Sequence, residues 1–138
     1  MGIVPSISIH PDAAEDLRQL MVHDKFAGGK VLALLQQAKH DPKIIESLLD
    51  HNFGADHSTP YNVSKWFELW NAGYNVWRLK IWIEPKGSLR YRIIYAYERR
   101  SLQYHVLAIV HRSFDYKTDH EITKRILKAY RELGIATH

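Results

Sequence analysis

Three consecutive runs between Trp77 and Tyr116 alternate in side-chain character, and a period of two confines this stretch to a sheet. In Trp77-Arg78-Leu79-Lys80-Ile81-Trp82-Ile83, the residues Arg78, Lys80 and Trp82 share one face and Leu79, Ile81 and Ile83 the other. Glu84-Pro85-Lys86-Gly87-Ser88 then reads as a turn, with Pro and Gly as punctuation. Arg90 and Arg92 share a face of the second run, Leu89 to Tyr97, while Tyr91, Tyr95 and Tyr97 take the opposite parity and read as core. Glu98-Arg99-Arg100-Ser101 turns the chain again, and the third run, Tyr104 to Arg112, is apolar for most of its length and ends on a cation. Two tight connections between three such runs predict an antiparallel meander. In a suitable register, Arg78, Lys80, Arg92 and Arg112 converge on one patch fit for a polyanion.

The rest of the chain decides what can surround that sheet. Its 138 residues suffice for one domain with a real core, expected to span 1–138. Cysteine is absent, which excludes disulfides and thiolate metal sites and suits a reducing compartment. No apolar run is long enough to span a bilayer, and Met1-Gly2-Ile3-Val4-Pro5 does not read as a signal peptide. Charge is unevenly divided. Residues 1–60 carry 5 Lys/Arg against 8 Asp/Glu and residues 61–138 carry 14 against 7, which together give the net +4. The basic half holds the strands, which favours a nucleic-acid partner over a general solubility role, while charge alone fits a solvated basic face equally well.

Taken in order, Ser6-Ile7-Ser8-Ile9 reads as a short first strand, and His10-Pro11-Asp12 starts a helix with apolar positions Ala13, Leu17, Leu20 and Met21. Ala27-Gly28-Gly29 predicts a break, followed by a second helix through Val31, Leu34, Leu35 and Ala38. Asp41-Pro42 opens a third that is expected to end near His51, and residues 51–61 read as a loop. Residues 62–73 fit a helix and an irregular packed segment equally. Asp119 is expected to open a last helix with Ile122, Ile126, Ala129, Tyr130 and Leu133 on one stripe, stopped by Gly134. The order predicts a small α+β domain: a mostly antiparallel sheet, helices on one face, a C-terminal helix, and cations on a partly open second face.

Familiar catalytic signatures are missing. The nine histidines include no pair at ligand spacing on one element, and His120-Glu121-Ile122-Thr123-Lys124 has Lys where a zinc-protease helix needs its second His. No metal site is expected.

The ordered set Arg78-Leu79-Lys80-Ile81, Leu89-Arg90-Tyr91-Arg92-Ile93-Ile94-Tyr95 and Ile109-Val110-His111-Arg112, followed by Tyr116, resembles the RelE/ParE superfamily of bacterial toxins, nearer its RelE branch. Residues 9–17 are similar to the family's first strand and the start of its first helix, and residues 122–127 to its last segment. Each motif is short; their order across residues 6–131 carries the resemblance. It implies a RelE-like single domain acting in the cytoplasm as a ribosome-dependent, metal-independent mRNA endoribonuclease. Ribosome and mRNA would be its targets, a cognate antitoxin its silencing partner, and no cofactor or membrane would be required. Residue by residue, Lys80 matches a catalytic Lys, Arg92 the Arg of a Tyr-Arg pair, Arg112 the Arg ending the last strand and Tyr116 the Tyr beyond it. His111 matches an acid or base that some relatives place near that strand end. Arg78 stands where RelE has another Lys, which suits phosphate binding better than proton transfer. Arg90 and Lys117 join Arg78 as expected RNA-binding residues.

The chemistry of metal-free RNA cleavage fits these residue types. It needs a base for the 2′-hydroxyl, an acid for the departing 5′-oxygen and positive charge on the phosphate. Lys and Tyr ionise near ~10, so either serves as base at neutral pH only if neighbouring cations lower its pKa. Each residue also has a plainer reading: a strand Arg or Lys as a solvated charge, Tyr116 as a cover for the last strand, Trp82 as packing in place of base stacking. Two other functions compete. One is a gyrase-poisoning toxin of the ParE type, which lacks the basic set; the other is a non-catalytic nucleic-acid-binding module.

Overall fold

Five strands and five helices follow one another in the computed structural model, which describes residues 4–83 and 87–138. Met1, Gly2 and Ile3, and Glu84, Pro85 and Lys86 of the expected turn, lie outside the described residues. The strands are β1 (Ser6–Ile9), β2 (Tyr61–Lys65), β3 (Val76–Trp82), β4 (Ser88–Glu98) and β5 (Gln103–His111). They form one sheet in the order β1-β5-β4-β3-β2, antiparallel except where β1 lies parallel to β5. The expected meander is β3-β4-β5, and the α+β class with a mostly antiparallel sheet is as the alternation predicts.

Helices α1 (Pro11–His23), α2 (Lys25–His40) and α3 (Pro42–Ser47) cover one face. Pro11 sits in the first turn of α1, and His10 Nδ1 accepts the Asp12 N–H at 3.0 Å. The predicted break at Gly28-Gly29 is wrong: α2 runs straight through both. The chain breaks earlier, at Asp24, whose side chain caps α2 by accepting the Ala27 N–H at 3.0 Å. Gly28 is there for packing, since a Cβ on it would lie 2.5 Å from Met21 Sδ and 3.1 Å from Met21 Cα. The third helix is also shorter than expected. It ends at Ser47, and the next carbonyl, that of Leu48, accepts the buried Tyr95 hydroxyl at 2.7 Å.

Residues 62–73 mix two periods because they form two elements. Val63 pairs with Leu79 in edge strand β2, and Trp66 leads into the short helix α4 (Phe67–Asn71). Residues 52 and 53 blunt that edge: the Asn52 N–H donates to the Val63 carbonyl and the Val63 N–H to the Phe53 carbonyl.

The last helix, α5 (Glu121–Glu132), is capped by His120, whose Nδ1 accepts the Ile122 N–H, and it packs on the second face of the sheet. Its Ile126, Ala129 and Tyr130 join Val76, Ile94, Ala96, Leu107, Ala108 and Val110 in a second core. Leu107 reaches this core through a bulge: Ile94 pairs with Ala108 and Tyr95 with Val106, so Leu107 is the extra residue. Helix α5 is tied across the sheet edge by Asp16 of α1. That carboxylate accepts two hydrogen bonds from Arg125, at 3.0 and 2.6 Å, and the Ile109 N–H at 3.0 Å. Asp16→Ala is expected to lower unfolding stability by about 2–3 kcal/mol, because it strands a charged and partly buried donor set. Urea denaturation checks this, with Asp16→Asn losing less because it keeps an acceptor for the Ile109 N–H.

Candidate functional site on the uncovered half of the sheet

The second face changes character along each central strand. On β3, Val76 is buried under α4 and α5, whereas Arg78 and Lys80 are half-buried. On β4, Ala96 and Ile94 are buried, Arg92 is half-buried and Arg90 exposed; on β5, Val110 is buried and Arg112, one residue past the strand, is exposed. The cations therefore begin where the apolar cover ends.

Register brings them together. Lys80 lies directly opposite Arg92, and Arg78 is its neighbour two residues along the same face. The Arg112 N–H donates to the Arg90 carbonyl at 2.6 Å, carrying the β4–β5 ladder one step further. Like charges facing each other across a strand pair are destabilising, and among the described residues no carboxylate forms an ion pair with Arg78, Lys80, Arg90, Arg92 or Arg112. The electrostatic consequences fall on two groups. Burial pushes the Lys80 ammonium below its ordinary pKa, and Arg92 and Arg78 push it the same way. Burial also lowers Arg92; Tyr116 opposes that shift, while Arg78 and Arg112 add to it.

Each cation is held by its own partners. Arg78 Nε donates to Ser64 Oγ at 2.8 Å, and its guanidinium lies 5.0 Å from the centre of the Tyr116 ring. Arg92 folds back along β4: Nη1 donates to the Leu89 carbonyl at 2.5 Å and Nη2 to Ser88 Oγ at 3.2 Å. Nη1 also donates to the Tyr91 carbonyl at 3.3 Å, which leaves the Nε–H and one Nη2–H for a ligand. Lys80 Nζ stands 5.2 Å from the centre of the Trp82 ring.

Tyr116 has a left-handed backbone, φ +59°, which is uncommon for a tyrosine. Its ring meets Trp66 edge-on at 4.9 Å and lies 4.7 Å from Phe114. The hydroxyl is buried and has no hydrogen-bond partner among the described residues. What Tyr116 presents to Arg78 is its ring face. Lys117 follows with an exposed side chain, while its carbonyl accepts the Thr123 hydroxyl at 2.7 Å.

His111 is not brought to this cluster. It pairs with Tyr91, whose ring it meets edge-on at 5.2 Å, and Tyr91 packs with the core under α1–α3. The alternation that aims Arg112 at the cation face aims His111 away from it. Its Nδ1 lies 2.8 Å from Ser113 Oγ and accepts the Ser113 N–H at 3.1 Å.

Three supporting residues escaped the reading of the chain alone. Ser64 and Trp66 lie in the stretch whose period was mixed, and each becomes visible only once β2 is paired with β3. Ser88, which holds Arg92, appeared only as a turn residue. Among the described residues no group of three or more His, Asp or Glu is placed to hold a metal ion. Nor is any described helix long and apolar enough to cross a membrane. No protein-family model, curated protein or solved structure matches the chain.

Proposed function

We propose that the protein is an RNA-cleaving toxin of the RelE kind, an mRNA endoribonuclease acting on the ribosome and restrained by an antitoxin. The observation that carries this reading is Lys80 set opposite Arg92, with Arg78 and Arg112 beside them and no described carboxylate paired with any of the four. A surface that only had to be soluble would pair such charges or separate them.

In the proposed reaction Lys80, in its neutral form, takes the proton of the 2′-hydroxyl. The 2′-oxygen attacks the adjacent phosphorus, the bond from phosphorus to the 5′-oxygen breaks, and that oxygen takes a proton from solvent at the exposed edge. A 2′,3′-cyclic phosphate and a 5′-hydroxyl result. Arg92 and Arg112 donate charge-assisted hydrogen bonds to the phosphate oxygens as charge builds on them. Arg78 and Arg90 hold the flanking backbone, and Lys117 extends the basic rim. Tyr116 acts as a positioning residue, its ring backing Arg78 while its hydroxyl stays covered. His111 has no part in this scheme.

Induction in bacteria with mapping of RNA 5′ ends tests the reading. New 5′ ends inside translated messages, without gyrase–DNA adducts, are the expected result. Adducts without new ends would point to the ParE-type activity, and neither would leave a binding module.

A further inference from the structure

Past Lys80, at the end of β3, a groove of about 540 Å³ lies between Trp82 and helix α2, and the proposed cleavage does not use it. Phe26 and Lys30 of α2 line one side; His57, Thr59 and Trp82 line another. His57 lies flat on Trp82, with ring centres 3.6 Å apart and planes 17° from parallel. The stack is held rigidly from beneath, because Trp82 Nε1 donates to the Gly54 carbonyl at 2.8 Å. Gly54 has φ +74°, and a Cβ there would fall 1.9 Å from the Tyr61 carbonyl oxygen, so the loop fits tightly against β2. His57 itself has φ +65°, a costly conformation for a histidine, and it holds the ring out on the surface. Across α2, Phe26 is 58% exposed, an unusual place for a phenyl ring, with Lys30 Nζ 5.5 Å from its centre.

We infer that this groove holds an unpaired base of a single-stranded RNA whose backbone crosses the cation face, with the base stacked on the His57–Trp82 platform and Lys30 against its phosphate. The inference rests on the RNA reading above and adds a binding subsite to it. Three features favour this occupant. A flat, pre-organised aromatic platform suits a base, since every base offers a π-face and a rigid platform loses little freedom on binding. Among the described residues lining the groove, the only charged one is a cation, Lys30. Continuity with the candidate site is direct, because Lys80, opposite Arg92, also stands over the Trp82 ring.

The test is binding of a non-cleavable, fully 2′-O-methylated single strand to the intact protein, followed by fluorescence anisotropy across a range of salt. His57→Gly removes the ring without straining a positive-φ position, and Phe26→Ser and Lys30→Glu alter exposed side chains, so all three should fold as the wild type does. His57→Gly is expected to weaken binding about 10- to 100-fold with an unchanged salt slope, because stacking releases no counterions. Lys30→Glu should weaken binding and flatten that slope, as should Arg112→Ala. A duplex of the same sequence should bind without sensitivity to His57→Gly. If the groove variants bind like the wild type while Arg112→Ala is weakened, the groove inference is overturned and the RNA reading stands. If the wild type binds no RNA, the groove inference falls, and the ribosome-dependent reading is decided by the mapped 5′ ends. If binding depends on His57 but the protein cleaves no message, the subsite stands and the nuclease reading falls.

Discussion

Arg112→Ala is expected to slow single-turnover RNA cleavage about 100- to 1,000-fold at saturating ribosome, the loss of roughly 3–4 kcal/mol typical of a donor aimed at transition-state charge. The thermal midpoint should not move, since Arg112 is exposed and its removal opens no cavity. Arg92 requires a different substitution. A solvent-facing strand cation can be truncated freely, but Arg92 is half-buried and bonded to the Leu89 carbonyl and Ser88. Arg92→Ala would remove those bonds together with any catalytic contact. Arg92→Lys keeps the charge and discards the planar fork, so it should reproduce most of the loss in rate with less effect on the fold. A contact used only for binding would behave otherwise, weakening affinity and flattening its salt dependence with little change in the bound rate.

Lys80 is expected to show opposite effects on activity and stability. As the proposed base it works only when neutral, so the cleavage rate should rise with pH and level off below the ordinary lysine value of 10.5, because burial, Arg92 and Arg78 all lower its pKa. Lys80→Arg should flatten the rise and reduce the rate about 100- to 10,000-fold. Stability follows from the same shift. A lysine whose folded pKa lies below its unfolded pKa binds its proton less tightly when folded. Its charge therefore costs stability at every pH below the folded pKa, and that cost is relieved as pH rises through the folded towards the unfolded value. Lys80→Met should thus raise the thermal midpoint at neutral pH while abolishing cleavage, the pattern of a site retained for function at the expense of stability. Melts and single-turnover rates at matched pH check both halves. A lower midpoint for Lys80→Met would show that the ammonium is structurally supported rather than strained.

Much of the sheet was legible because alternation fixes which side chains share a face. Arg78, Lys80 and Arg92 lie together on the face where Leu79, Ile81, Tyr91 and Tyr95 do not, as their spacing predicts. What alternation cannot supply is pairing between strands, and the role of Ser64 depends on that. Ser64 becomes a partner of Arg78 only through the β2–β3 register. The paired glycines 28 and 29 suggested a break because glycine is a poor helix former. In α2, tight packing of Gly28 against Met21 outweighs propensity. His111 enters only through the resemblance, and strand alternation sets it on the face opposite Arg112. The Tyr116 ring packs against Trp66, which comes from a distant segment, and its hydroxyl is buried.

The proposed nuclease cuts RNA through the 2′-hydroxyl of its own substrate. The most direct measurement is end-group analysis of a message cut on programmed ribosomes by the purified protein, repeated with a single 2′-deoxy residue at the cut. The expected result is a 2′,3′-cyclic phosphate on the upstream fragment, a 5′-hydroxyl on the downstream fragment, and no cleavage of the deoxy message. A 5′-phosphate with a 3′-hydroxyl, or undiminished cutting of the deoxy message, would contradict it.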